Sequence, residues 1–190
     1  MLLSAAMIPP QSAVEELAAL VRSVADDEQQ FDAVPPASMH VPVTRFGNVS
    51  AGDVSRIVQA LRQAATEWVP PRLRFAGAVA LEWPGGESVR AALSGEVDGL
   101  TAIARQVPTA VEELGFFVDR RGFRPWVSVG TVTATTTPPF LSRLVESVGS
   151  YTGPEWWMTH LSVVRKSWGS SDGIARPFEI VDEVVFDGSR

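Results

Sequence analysis

The order of segments along this chain repeats, and that repetition constrains the fold more than any single motif. Residues Ser4 to Ile8 form a short apolar run ended by Pro9 and Pro10. From Gln11 to about Asp26, Val14, Leu17, Leu20, Val21 and Val24 recur at helical spacing. A polar, proline-containing linker (FDAVPPASM) follows, then a weakly alternating strand from His40 to Gly47. A second helix over Ala51 to Trp68 places Val54, Ile57, Val58, Leu61 and Ala65 on one stripe. Leu73 to Leu81 and Ser88 to Leu93 read as a hairpin turning at Trp83-Pro84-Gly85-Gly86.

The same order then begins again. Val97 to Leu114 predicts a helix, Pro125 to Ala134 a strand, and Pro138-Pro139 the start of a fourth helix reaching Gly149. Strands over Glu155 to Arg165 and Pro177 to Val185 close the chain. Sliding the sequence on itself by 86 residues lays Ala5-Ala6-Met7 on Ala91-Ala92-Leu93 and Val43 on Val129; after a one-residue insertion, Val54 to Val58 meets Leu141 to Val145. An internal duplication follows as the expectation. Two such units form an α+β fold of two pseudo-twofold lobes, each an antiparallel sheet with helices packed outside, around a central cleft. The whole span 1–190 is then one bilobal domain, and a groove between lobes is a natural ligand site.

Composition narrows the chemistry. The chain has no cysteine, which excludes disulfides, thiolate zinc sites and cysteine nucleophiles and fits a reducing cytoplasm. His40 and His160 are the two histidines, so a multi-histidine metal centre is not expected and no cofactor is implied. The one lysine, Lys166, lies in no phosphate-binding glycine loop. No apolar run approaches membrane-spanning length, and the opening MLLSAAMI has no basic flank, so neither anchor nor signal peptide is expected. A formal charge of −6 argues against wrapping long duplex nucleic acid, but not against gripping one phosphate. The densest cationic stretch is Asp119-Arg120-Arg121-Gly122-Phe123-Arg124; a solvated turn is its plain alternative.

Several segments together resemble the 2H phosphoesterase superfamily, in its branch of LigT-like RNA 2′,3′-cyclic phosphodiesterases, also called 2′-5′ RNA ligases. They are the first strand with Pro-Pro and a helix behind it, VPPASMHVPVTRFGNV, Arg121-Gly122-Phe123-Arg124-Pro125-Trp126-Val127-Ser128-Val129, and a late strand ending in Ser167. The resemblance implies two His-x-Thr/Ser motifs, one per lobe, each on a strand facing the cleft. Opening a cyclic phosphodiester needs one group to take a proton from water and another to protonate the departing ribose oxygen. Two imidazoles serve, and a hydroxyl two residues beyond each shares its face and can steady a phosphoryl oxygen.

Both motifs depart from that pattern here. The first reads His40-Val41-Pro42, with the imidazole present and proline in place of the hydroxyl. The second reads Trp126-Val127-Ser128, keeping the hydroxyl and replacing the imidazole with an indole that exchanges no proton at neutral pH. By the resemblance, His40 is the remaining acid or base, Ser128 a phosphate contact, and Arg121 and Arg124 phosphate-pairing cations. Trp126 either stacks a base or fills the cleft. Three readings stay open: an impaired or altered cyclic phosphodiesterase acting on nucleotides or RNA ends, a noncatalytic binder of such ligands, and a protein-interaction scaffold. Oligomeric state is not legible. Pro42 inside a strand predicts an edge or a bulge. Arg45, of opposite parity to His40, is expected to face away from the cleft. His160 is expected to face solvent or the partner sheet, and Asp26-Asp27-Glu28 to be a solvated helix end.

Overall fold

The structure, a computed structural model, describes residues 1–25, 29–81, 88–116, 122–166 and 178–188. Each helix starts and buries as its residues dictate. Helix α1 (Gln11–Val24) begins directly after Pro9-Pro10 and buries Ala13, Val14, Leu17, Ala18 and Val21. Helix α2 (Ala51–Ala65) begins at a capping box, in which the Ser50 hydroxyl accepts from the Asp53 backbone N–H and the Asp53 carboxylate accepts from the Ser50 N–H. Helix α3 (Val97–Glu112) buries Leu100, Ile103, Ala104, Val107 and Val111, and helix α4 (Pro138–Ser150) starts with prolines in its first turn, where the missing N–H costs nothing.

The strands are β1 (Leu2–Met7), β2 (Phe31–Ala33), β3 (Val41–Asn48), β4 (Arg72–Leu81), β5 (Ser88–Gly95), β6 (Trp126–Val132), β7 (Trp156–Trp157), β8 (His160–Lys166) and β9 (Phe178–Val185). They build two antiparallel sheets, one ordered β3-β1-β8-β9 and the other β2-β6-β5-β4-β7. The orders β3-β1-β8 and β6-β5-β4 correspond, yet β4, from the first half of the chain, lies in the second sheet. Conversely, β8, from the second half, lies in the first. Each lobe therefore borrows a strand from the other half. Helices α2 and α3 pack on the four-stranded sheet and α4 packs on the five-stranded one with α1 against it, so one apolar core runs through both lobes.

The observed elements correct the sequence expectations in three places. The strand at the first motif starts at Val41, leaving His40 just ahead of it. The linker FDAVPPASM holds β2 and a 3-10 turn over Pro36–Ser38. Glu155 to Arg165 is not one strand: Trp156 and Trp157 pair with β4 in one sheet, while β8 pairs with β1 and β9 in the other. Strand β2 docks because Gly130 has no side chain; a Cβ there would lie 2.3 Å from the Phe31 ring. Hydroxyls of Thr133, Thr135 and Thr136 donate to the backbone carbonyls of Gln29 and Gln30 and hold the same segment. The turn Trp83 to Gly86, Asp26-Asp27-Glu28, Arg121, Ser167 and Pro177 lie outside the described residues.

Candidate active site

Strands β3 and β6, which carry or adjoin the two motifs, come within 8 Å of each other, Cα to Cα. On the first wall, His40 is half-buried. Its Nδ1 lies 2.8 Å from the Ser38 carbonyl, which fixes the tautomer: Nδ1–H donates, and Nε2 keeps its lone pair. The ring meets Phe178 edge-on, with 4.8 Å between centroids. Phe178 stands on β9, and β3 and β9 are opposite edges of the four-stranded sheet, so this contact requires a strongly curled sheet. Flat, those edges would lie about 14 Å apart. Burial lowers the His40 pKa from 6.5, and the Ser38 carbonyl opposes that shift only in part, so the ring is neutral at pH 7.

Pro42 is both on an edge strand and at a register shift, as its type requires. Ala6 faces Pro42 and Ala5 faces Thr44, leaving Val43 as the extra residue. That bulge reverses the parity expected for Arg45. Ser4, on the same face of β1 as Ala6, pairs with Arg45. Arg45 therefore shares the face of Pro42 instead of pointing away, and both side chains are exposed while Val41, Val43, Thr44 and Phe46 are buried. One inserted residue decides this.

On the second wall, burial alternates along β6, with Val127 and Val129 enclosed and Trp126 and Ser128 half-open on the other face. Arg90, on β5, is directly opposite Ser128, and its guanidinium lies over the Trp126 ring at 4.6 Å. The Arg124 guanidinium lies 5.8 Å from the same ring. Neither arginine has a carboxylate partner among the described residues. Burial lowers the pKa of Arg90. Of the residues expected from sequence, Trp126, Ser128 and Arg124 are thus brought together on one face, and His40 stands on the other sheet. Arg90 was missed, although it is the one charged residue in the apolar run Ser88 to Leu93 and period-two alternation sets it on the face opposite Val89 and Ala91.

His160 opens β8 half-buried, with Nε2 3.5 Å from the Glu183 carboxylate, and the Thr159 hydroxyl adjoins its Nδ1. Two hollows lie beside these walls. One of about 400 Å³ is bounded by Val43 and Thr44 of β3, by α3 and by Phe123; another of about 640 Å³ separates α1 from β2. Among the described residues, no cluster of three or more His, Asp or Glu side chains could hold a metal. No described helix is long and apolar enough to cross a membrane.

Comparison with known proteins gives one family. Residues 8–84 match the family described as LigT like Phosphoesterase. No curated protein matches the sequence significantly. Among solved structures, Escherichia coli LigT complexed with 3′-AMP superposes with a TM-score of 0.70 at 15% identity, over 97% of each chain. A protein described as a phosphoesterase gives 0.71 at 14% identity, over 97% of this chain and 98% of its own. The Thermus thermophilus protein TT0787 gives 0.65 at 18% identity over the full length of both. At such identities the likeness is one of fold. Residues 8–84 are thus similar to the LigT like Phosphoesterase family, and the chain as a whole shares the fold of LigT.

Proposed function

We propose that the protein binds phosphate-bearing nucleotides or RNA ends, among them 2′,3′-cyclic phosphates, and opens the cyclic ester slowly. One observation carries this reading. Two guanidiniums without carboxylate partners among the described residues stand on one indole beside a strand hydroxyl, an arrangement suited to a phosphoryl group. Trp126 acts there by holding Arg90 and Arg124, since their guanidiniums already occupy its surroundings. Across the cleft, neutral His40 offers Nε2 to take a proton from the attacking water. Motif two offers no imidazole to protonate the leaving ribose oxygen, and arginine does not release a proton at neutral pH, so that oxygen takes its proton from solvent water. Losing one acid or base costs about 10²- to 10⁴-fold, or roughly 3–5 kcal/mol in the barrier. LigT of E. coli has been crystallised with 3′-AMP, which fits the ligand class. The exchange of β4 and β8 supports reading residues 1–190 as one duplicated bilobal unit, and the lack of cysteine supports a cytoplasmic site of action.

A second reading, a noncatalytic binder, is favoured by Trp126 at the imidazole position. The test is to incubate the protein with a 2′,3′-cyclic mononucleotide, follow ring opening, and titrate the ligand against tryptophan fluorescence. Turnover removed by His40→Ala supports the enzyme. Saturable quenching without turnover supports the binder. Neither signal would refute both and leave a protein-interaction role.

A further inference from the structure

The open face of the five-stranded sheet continues well beyond Trp126. Arg90, Ala92 and Ser94 alternate with buried Val89, Ala91 and Leu93 along β5, so they share the face of Trp126 and Ser128. Ser94 pairs with Arg74 on β4, and Arg72, two residues before Arg74, pairs with Trp157 on β7. Residues 72 to 75 contain no register shift, so Arg72 and Arg74 stay on that face while Leu73 and Phe75 are buried. Trp157 is 45% exposed, and the Arg72 guanidinium lies 5.9 Å from its ring centre. The face therefore bears a second pairing of tryptophan with arginine. Three strand spacings and four residues along the strands separate the two tryptophans, a distance of about 20 Å.

We infer that this face is a track for single-stranded RNA, with the phosphorylated terminus at Arg90, Arg124 and Ser128 and an upstream base stacked on Trp157. The inference rests on the proposed phosphate site for the end of the strand. An exposed aromatic ring set among arginines suits a single strand, because every base offers a face to stack and each linkage offers a charge. At about 3.4 Å per stacked nucleotide, six residues bridge the two tryptophans, and fewer do so when the strand is extended. A ribose strand is specified because only ribose forms a 2′,3′-cyclic phosphate. Glu155 lies 3.4 Å from Arg72 and 3.8 Å from Arg74, and all three side chains are at least 40% exposed. A phosphate can displace a carboxylate so screened by water.

The experiment compares a 3′-phosphorylated mononucleotide, a 3′-phosphorylated RNA hexamer, the same hexamer ending in a 3′-hydroxyl, and a hexamer duplex, each titrated by fluorescence anisotropy at several salt concentrations. The phosphorylated hexamer is expected to bind about tenfold or more tightly than the mononucleotide. Trp157→Ala should abolish that gain and leave mononucleotide affinity unchanged. Arg72→Gln should reduce the salt slope of hexamer binding by about 0.7, and Glu155→Gln should tighten it. Equal affinity for hexamer and mononucleotide, equal weakening of both by Trp157→Ala, or duplex binding as tight as single-strand binding would each overturn the track. The phosphate site fails separately if the hexamer binds through Trp157 with no difference between its 3′-phosphate and 3′-hydroxyl forms.

Discussion

Replacing Trp126 with histidine tests the geometry and the chemistry together. The indole stands half-open between Arg90 and Arg124, with guanidiniums 4.6 and 5.8 Å from its centre. Trp126→His forfeits two cation–π contacts of roughly 0.5–1 kcal/mol each and some apolar burial, about 2 kcal/mol in all. For a chain of this length that lowers the melting temperature by about 4–8 °C, which leaves a folded protein at 25 °C. Against this cost, an imidazole at that position restores a second proton-transfer group, worth about 10²- to 10⁴-fold in ring opening. The pH profile is the sharper readout. Two adjacent guanidiniums disfavour a protonated ring, so the introduced imidazole should titrate below the ordinary histidine value. Burial already lowers His40 from 6.5. The bell-shaped rate profile should accordingly centre on the acid side of 6.5. The assay is hydrolysis of a 2′,3′-cyclic mononucleotide between pH 4.5 and 9, with melting curves as a control on folding. A folded variant that binds phosphate and gains no turnover would show that position 126 does not stand opposite His40 across the phosphate. A gain that grows steadily above pH 8 would refute the pKa argument alone.

Arg90→Gln should weaken binding of a 3′-phosphorylated mononucleotide by about tenfold or more, because a charge-assisted contact is lost, and calorimetry would measure it. Arg45→Gln should weaken it less and mainly at low salt, since Arg45 is exposed. The neutral, half-buried His40 gives a further expectation. Its folded pKa is depressed, so its share of stability is complete above 6.5 and is lost as pH falls through the folded value; denaturant titrations should show that slope in the native chain and not in His40→Asn. Gly95→Ala should destabilise by about 3 kcal/mol, read as a lower urea midpoint. Gly95 has φ +105, and a Cβ there would lie 2.5 Å from the Arg72 carbonyl oxygen.

Much of the fold was legible because its signals are local. The helix at Ala51 is announced by Ser50 and Asp53, and the helix at Pro138 by two prolines that only a first turn accepts. The motif residues were legible as well, by their order along the chain. Arg45 was not: Pro42 announced an edge or a bulge, but that Val43 is the inserted residue is set only by pairing with β1. The break between β7 and β8 was hidden for a related reason. Trp156 to Arg165 reads as one β-prone run, and only the demand for a partner sends its first two residues to β4 and those from His160 on to β1 and β9.

The amino-acid sequence alone determined where each helix begins, which stripe it buries, and which chemistry is on hand: no thiol, one motif imidazole, and an indole where a second would stand. Those properties depend on residues within a few positions of one another, over which helical and strand periods and turn chemistry act. Tertiary structure decided which sheet each strand joins, that Arg45 shares the exposed face of Pro42, and that Arg90 and Arg124 meet over Trp126. Strand partners here lie far apart in the chain, as Ala5 and Val163 do, and a shift of one residue in their pairing exchanges the two faces of a strand. The choice among such pairings is made by the burial of the whole core, which no local segment contains.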